Sequence, residues 1–178
     1  IDGAEILDID DGGIDMASGK TVAINGTDLP TSGGKVLQVV TGTTTTDTGV
    51  EADTSFTDTG LTADITCAAT SSKVLVVVSQ TLQYARDTGE QTGYYNIMRD
   101  STEILDATYN GSGGGSGANF GPVTISSIIM DSPSSTSALT YKTQIRCETT
   151  SNSGSVRANQ QTSGSETPSS IQLIEIGA

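Results

Sequence analysis

Two stretches of this chain alternate strictly between inward-type and outward-type residues, and no other feature limits the possible folds as much. The inward positions of the first stretch are Leu61, Ala63, Ile65 and Cys67. Those of the second stretch are Leu139, Tyr141, Thr143, Ile145 and Cys147. Because neighbouring side chains of a β-strand point to opposite faces, a period of two predicts strands with one face in a core and the other in water.

The composition favours strands along the whole chain. Thr and Ser together account for 50 of the 178 residues (28 Thr and 22 Ser), and another 21 are Gly. Ala, Leu, Glu, Lys and Arg are too sparse to supply helix propensity, whereas short runs of Thr, Val and Ile between Gly and Ser suit strands joined by turns. We therefore predict an all-β fold.

Three segments are apolar on both faces: Val36 to Val40, Val74 to Val78 and Ile125 to Met130. Such strands occur in the middle of a sheet that is covered on both sides, or beneath a neighbouring subunit. The sequence leaves both interpretations open.

Further strands are predicted at Thr54 to Thr57, Tyr94 to Arg99, Thr102 to Ala107, Val156 to Asn159 and Ile171 to Ile176. This makes about ten strands. Turn signals such as Asp100-Ser101 separate them at intervals typical of a two-sheet sandwich. The predicted fold class is an antiparallel β-sandwich.

The first 34 residues differ from the rest in charge. Seven of the first 30 residues are acidic and only Lys20 is basic. Short apolar pieces are separated there by Gly-Gly and Asn25-Gly26, which are typical of tight β-turns. We predict an acidic, β-rich shaft or oligomerisation segment with its linker at residues 1–34, and a sandwich head at residues 35–178. Because so short a shaft cannot bury its own apolar residues, we expect copies of the same chain to cover them.

Charge and composition exclude several functions. The formal net charge of −13 repels phosphate backbones and anionic lipids, so we predict neither nucleic-acid binding nor membrane-surface binding. The longest aliphatic run, Val74 to Val78, is far shorter than the roughly 20 residues that cross a bilayer. Without His there is no imidazole base, and two Cys cannot build a four-ligand zinc site. We predict no catalytic residue, no metal and no cofactor.

Two carboxylate features resemble sites but lack the required companions. The segment from Asp8 to Asp15 has clustered carboxylates, but position twelve of a calcium loop counted from Asp8 is Gly19 instead of Glu, so we predict a solvated acidic turn. The pairs Glu51 with Asp53 and Glu103 with Asp106 have no aromatic subsite or cleft signal beside them, which argues against a glycosidase.

The glycine-rich segment Gly111 to Gly117 is the most distinctive loop. It has no Lys after its glycines and no helix to face an anion, so it predicts a flexible surface loop and not a phosphate site. Four flanking residues could contact a glycan or a protein by stacking and amide hydrogen bonds. These candidate ligand-binding residues are Tyr109, Asn110, Asn119 and Phe120.

Cys67 and Cys147 both have the inward register of their strands, where a free thiol behaves as a small apolar side chain. We predict free thiols. A disulfide between them is the alternative, and it needs Cα atoms about 4.4–6.8 Å apart.

Four segments occur in an order that resembles a known family. They are GKVLQVV from Gly34, SSKVLVVVS from Ser71, DSP from Asp131 with SALTY from Ser137, and IQLIEIGA from Ile171. In this order they resemble the C-terminal module of tail-fibre and other virion structural proteins of tailed bacteriophages, especially phages of aquatic bacteria. The resemblance covers roughly residues 35–178.

The resemblance implies a jelly-roll-like β-sandwich at the tip of a fibre, assembled as a homotrimer, with a role in virion architecture or host attachment and no catalytic motif. It implies other virion proteins and a host surface glycan or protein as partners. It also implies an exposed appendage of the virion as location, after synthesis in the reducing cytoplasm of a bacterial host, which agrees with free thiols. Two alternatives stay open: a capsid or tail decoration protein without receptor binding, and a bacterial adhesin or carbohydrate-binding module.

Overall fold

The computed structural model describes residues 8–10, 13–15, 23–24, 27–28, 34–51, 53–85, 91–111, 119–148, 154–160 and 167–177. Side chains are described from residue 34 onward, except those of residues 51, 85, 91–92, 107–111 and 119–121. Backbone contacts divide the chain into two compact units, Ile1–Gly33 and Gly34–Ala178.

The described part of the first unit consists of two short antiparallel pairs. Strand β1 (Asp8–Asp10) pairs with β2 (Gly13–Asp15), and β3 (Ala23–Ile24) pairs with β4 (Thr27–Asp28). The two pairs flank Asp11-Gly12 and Asn25-Gly26, dipeptides that favour two-residue hairpin turns. The side chains of the predicted acidic turn lie outside the described residues, and the shaft role of this unit stays a prediction.

The described part of the second unit contains ten strands and no helix, so the predicted all-β fold is confirmed. The strands are β5 (Val36–Thr44), β6 (Thr48–Glu51), β7 (Thr57–Thr66), β8 (Lys73–Ala85), β9 (Gln91–Arg99), β10 (Thr102–Gly111), β11 (Asn119–Asp131), β12 (Ala138–Cys147), β13 (Ser155–Ala158) and β14 (Ser169–Ile176).

These strands form two antiparallel sheets arranged as a sandwich. The four-stranded sheet has the order β10-β9-β12-β7. The six-stranded sheet is built around β8, the long strand that has partners along both sides. Strand β11 pairs along one side of β8, while β14 and then β13 pair along the other. Strand β5 extends the sheet beyond β14, and β6 extends it beyond β13.

One apolar cluster fills the space between the sheets, and the two alternating stretches line it as predicted. Strand β7 supplies buried Leu61, Ala63 and Ile65, while Thr62, Asp64 and Thr66 between them are exposed. On β12 the predicted inward residues are all buried and the outward residues are partly buried. From the six-stranded sheet come Val74, Val76 and Val78 of β8 and Ile171 and Leu173 of β14.

One predicted strand, Thr54 to Thr57, is wrong. The chain forms β6 earlier, at Thr48–Glu51, and β7 begins only at Thr57. The Asp53 carboxylate accepts a hydrogen bond from the Ser55 N–H at 2.8 Å, a local turn that competes with strand pairing at this point. Strand β6 carries a single large apolar residue, Val50, which is buried, so it has no alternation that a sequence pattern could detect.

The three doubly apolar segments all lie in the six-stranded sheet. Val74 to Val78 belongs to β8, so its prediction as a central strand is confirmed. For Val36 to Val40 and Ile125 to Met130 that interpretation is wrong, because β5 and β11 are edge strands. Their interpretation as strands covered by a neighbouring subunit stays a prediction.

Candidate functional site

The four predicted ligand-binding residues lie in strands on either side of residues 112–118. Tyr109 and Asn110 end β10, where they pair with Gly93 and Thr92 of β9. Asn119 and Phe120 begin β11, where they pair with Ala85 and Tyr84 of β8. Because β10 belongs to the four-stranded sheet and β11 to the six-stranded sheet, this connection passes from one layer of the sandwich to the other. The side chains of all four residues lie outside the described part, so their role stays a prediction.

The outer face of the four-stranded sheet is polar and its side chains are tied to one another. Asp58 accepts hydrogen bonds from Lys142 Nζ at 2.8 Å and from Gln144 Nε2 at 2.6 Å. Burial raises the pKa of Asp58, but Lys142 and Gln144 outweigh it, so the pKa lies below its ordinary value. Thr140 donates to Asp64 at 2.6 Å. This polar outer face is therefore suited to contact with solvent.

Arg146 continues this outer face with a different kind of contact. Its guanidinium carbon lies 3.8 Å from the centroid of the Tyr94 ring and 5.0 Å from that of Phe56. Both distances are within the roughly 6 Å range of a cation–π interaction. The cation therefore shields two aromatic rings that would otherwise be apolar spots on a polar surface.

The outer face of the six-stranded sheet carries an apolar patch beside polar residues such as Gln172, which lies opposite Val77. Met130 of β11 lies opposite Leu75 of β8, Leu75 lies opposite Ile174 of β14, and Ile174 lies opposite Val39 of β5. One apolar row thus crosses four strands. A second pair, Ile128 and Val77, flanks it on β11 and β8. We call these six residues the apolar face. Ile128 is 71% exposed, Val39 57% and Met130 47%, while Leu75, Val77 and Ile174 are partly exposed.

The acidic residues of these four strands turn away from the apolar face. Strands β5, β8, β11 and β14 contain only two carboxylates, Asp131 and Glu175. In the strand register Asp131 lies opposite Val74, and Glu175 lies opposite Val74 and Gln38, on the inner side of the sheet. Lys73 is the remaining charged residue, at the end of β8.

Asp131 connects the two sheets. Its carboxylate accepts hydrogen bonds from Arg99 Nη1 of β9 at 2.7 and 2.5 Å, and from the Tyr141 hydroxyl of β12 at 2.7 Å. Burial lowers the pKa of Arg99, but Asp131 outweighs it and raises the pKa above its ordinary value. Burial and Asp131 both raise the pKa of Tyr141. The group works as a structural clamp, because each of its charges is already paired.

Glu175 is a fully buried carboxylate. It accepts hydrogen bonds from Gln38 Nε2 at 2.6 Å and from the Ala68 N–H at 2.7 Å. Burial raises the pKa of Glu175, but the Ser72 hydroxyl, Gln38 and Ala68 together lower it below the ordinary value of 4.5. A carboxylate held as an anion by the Gln38 amide and the Ala68 N–H is a poor general acid. We therefore read Glu175 as a connection between β14, β5 and the turn before β8.

The interior contains one further polar group and two thiols. Thr59 and Thr143 share a hydrogen bond of 2.6 Å, and Gln80 Nε2 donates to Thr59 at 3.0 Å, so this network again links the two sheets. Cys67 and Cys147 are buried and not bonded to each other. Burial, with the nearby charges of Glu175 and Asp131, raises the pKa of Cys67 and keeps it a thiol.

In the part of the chain that the structure describes, no three His, Cys, Asp or Glu side chains are grouped closely enough to hold a metal ion. No helix there is long and apolar enough to span a membrane.

No protein-family model matches the sequence, and no curated protein matches it. Solved structures of virus particles do align with it. A chain of the T13 IBDV viral particle has 14% identity and a TM-score of 0.40 over 93% of this chain and 43% of that chain. A chain of infectious bursal disease virus Gt strain has 13% identity and a TM-score of 0.39 over 96% of this chain and 42% of that chain. A chain of the VP2 subviral particle of that virus has 12% identity and a TM-score of 0.38 over 89% of this chain and 42% of that chain. The chain thus spans less than half the length of these chains, and TM-scores below 0.5 do not establish a common fold.

Proposed function

We propose that this chain is a non-enzymatic structural protein of a tailed-phage virion. In this proposal it forms the head of a fibre or spike, assembles as a homotrimer with other virion proteins, and contacts a glycan or protein on the host surface. One observation carries the proposal. Three of the four segments that resemble virion proteins are β5, β8 and β14, which are adjacent strands of one sheet in the order β5-β14-β8. The resemblance therefore follows a contiguous piece of the fold and not scattered strings.

The surface chemistry agrees with a structural role. Two buried or partly buried carboxylates are held in structural contacts, since Asp131 is clamped by Arg99 and Tyr141, and Glu175 is held by buried donors. Short Thr and Ser side chains cover much of the remaining surface and lose little rotamer entropy when they are packed. Such a surface suits an exposed and durable particle.

Host contact is assigned to the connection between β10 and β11. Strand β10 ends in the four-stranded sheet and β11 begins in the six-stranded sheet, so residues 112–118 join the two layers in sequence, and connections carried by a rigid sandwich are common sites of recognition. Tyr109 and Phe120 would supply stacking, and Asn110 and Asn119 amide hydrogen bonds.

The test has two steps. First, antibodies against the chain should label purified phage particles at an appendage in electron micrographs. Second, the purified protein should bind host cells and block phage adsorption, and Tyr109→Ala should weaken that binding more than the matched variant Tyr109→Phe, which keeps the ring.

The outcomes separate the competing functions. Labelling of the shell without cell binding would support the decoration alternative. Cell or glycan binding by a chain that no particle contains would support the adhesin or carbohydrate-binding module. Turnover of a host glycan by the purified chain would contradict the non-enzymatic role.

A further inference from the structure

The apolar face is a described surface whose chemistry does not suit water. On a sheet that faces solvent, outward residues are normally polar, as they are on the four-stranded sheet. Here the row Met130, Leu75, Ile174 and Val39 runs across four hydrogen-bonded strands without a polar residue between them. Ile128, the most exposed of the large apolar residues, lies next to that row.

The charge distribution indicates what can cover this face. The chain has a net charge of −13 and 21 acidic residues, so two copies repel each other over most of their surface. The outer face of the four-stranded sheet carries Asp58 and Asp64. The apolar face carries no carboxylate, and the charged residue of its strands that shares its outward parity is Lys73 of β8. It is a surface on which two equally acidic chains can meet without burying like charges.

The size of the face also fits a contact between copies. Its row crosses four strands about 4.8 Å apart, and β8 and β11 each contribute about three residues of 3.3 Å, so the footprint is roughly 190 Å². A standard interface buries about 800 Å² on each partner, and its centre is more apolar than its rim. The apolar face can therefore form the centre of such an interface, and the Thr and Ser residues around it would belong to the surrounding contact area.

We propose that the apolar face is the docking surface for further copies of this chain. It deepens the proposed function, because it names the surface through which the oligomer forms. It does not depend on the virion location, since self-association can be measured on the purified chain. A chain that self-associates through this face but is found in no phage particle would contradict the function and leave the inference standing.

The test compares Ile128→Asp with Thr66→Asp in the full chain by size-exclusion chromatography with light scattering. Ile128 is exposed in the single copy, so the substitution should leave its fold intact. In the assembly the new carboxylate would be buried without a partner, which should raise the dissociation constant at least about 30-fold. Thr66 makes the same charge change at an exposed, outward position of the other sheet, and it should leave the mass unchanged. Equal masses for wild type and both variants would overturn the proposal.

A second measurement uses the wild-type chain and does not require a variant to fold. Peroxide oxidation of Met130 should slow down as the protein is concentrated, because assembly covers it. Met98 lies outward on the polar sheet and is partly exposed, so its oxidation rate should not depend on concentration. A Met130 rate that stays high at every concentration would overturn the proposal. Protection of Met130 in a species whose light-scattering mass is that of one copy would also overturn it, because a segment of the same chain would then cover the face.

Discussion

Replacing the buried carboxylate of Glu175 gives a quantitative test of the interior. In Glu175→Gln the amide keeps one carbonyl oxygen as an acceptor, but its NH₂ group must face a donor, either Gln38 Nε2 or the Ala68 N–H. Hydrogen bonds to a charged group contribute about 1.5–3 kcal/mol each, and a buried donor without a partner costs about 1–3 kcal/mol. We expect the free energy of unfolding at pH 7 to fall by about 2–4 kcal/mol, measured by urea denaturation.

The pH dependence of this difference follows from the sign of the pKa shift. The pKa of folded Glu175 lies below its ordinary value of 4.5, so the folded state binds the proton less readily than the unfolded state. The stabilisation is therefore fully present above pH 4.5 and is lost as the pH falls through the lower, folded pKa. The gap between wild type and Glu175→Gln should be constant between pH 6 and 7 and should shrink below pH 4.5.

The matched control is the same acid-to-amide change at an exposed carboxylate. Asp64 is an exposed carboxylate that accepts one hydrogen bond, from Thr140, and Asp64→Asn should cost less than about 1 kcal/mol. Other carboxylates titrate in wild type and variant alike, so they cancel in the difference. A Glu175→Gln gap below about 1 kcal/mol at pH 7, or a gap that does not change on acidification, would refute the account of this buried anion.

Three further predictions concern the contacts between the sheets. Asp131→Asn should lower the free energy of unfolding by about 2–4 kcal/mol in urea titrations, because it leaves the partly buried Arg99 cation without its partner; a loss below about 0.5 kcal/mol would contradict the clamp. A Cβ at Gly42 would overlap the Thr62 carbonyl of the opposite sheet, so Gly42→Ala should lower the melting temperature by at least about 5 °C, and an unchanged melting curve would contradict this packing. The Cys67 thiol should react with a disulfide reagent only after unfolding, whereas rapid labelling of the folded protein would contradict its burial.

Much of the fold follows from local sequence pattern, because a period of two directly encodes which face of a strand is buried. That is why the inward and outward residues of β7 and β12 could be assigned in advance. Strand β6 has no such pattern, because its only large apolar side chain is Val50, and the strand exists because β13 offers it a partner. Pairing between distant segments is a tertiary property that no short window of sequence contains.

The apolar face and the contacts of Glu175 show the same limit of prediction from local sequence. The sequence indicates that β5, β8 and β11 are apolar on both sides, but only the register brings Val39, Leu75 and Met130 into one row. In a similar way, Ile171, Leu173 and Glu175 share one parity, so the inward direction of Glu175 could be derived from the sequence. Its donors could not, because Gln38 and Ala68 are more than 100 positions away in the chain.

The mass of the wild-type chain in dilute solution tests the central claim most directly. In the proposed assembly, one sheet faces water and the other faces sister copies. Light scattering at micromolar concentration should then give a multiple of 18.2 kDa, the threefold multiple being the proposed trimer. A well-folded species of 18.2 kDa at every concentration, with Ile128 and Met130 open to solvent, would contradict it.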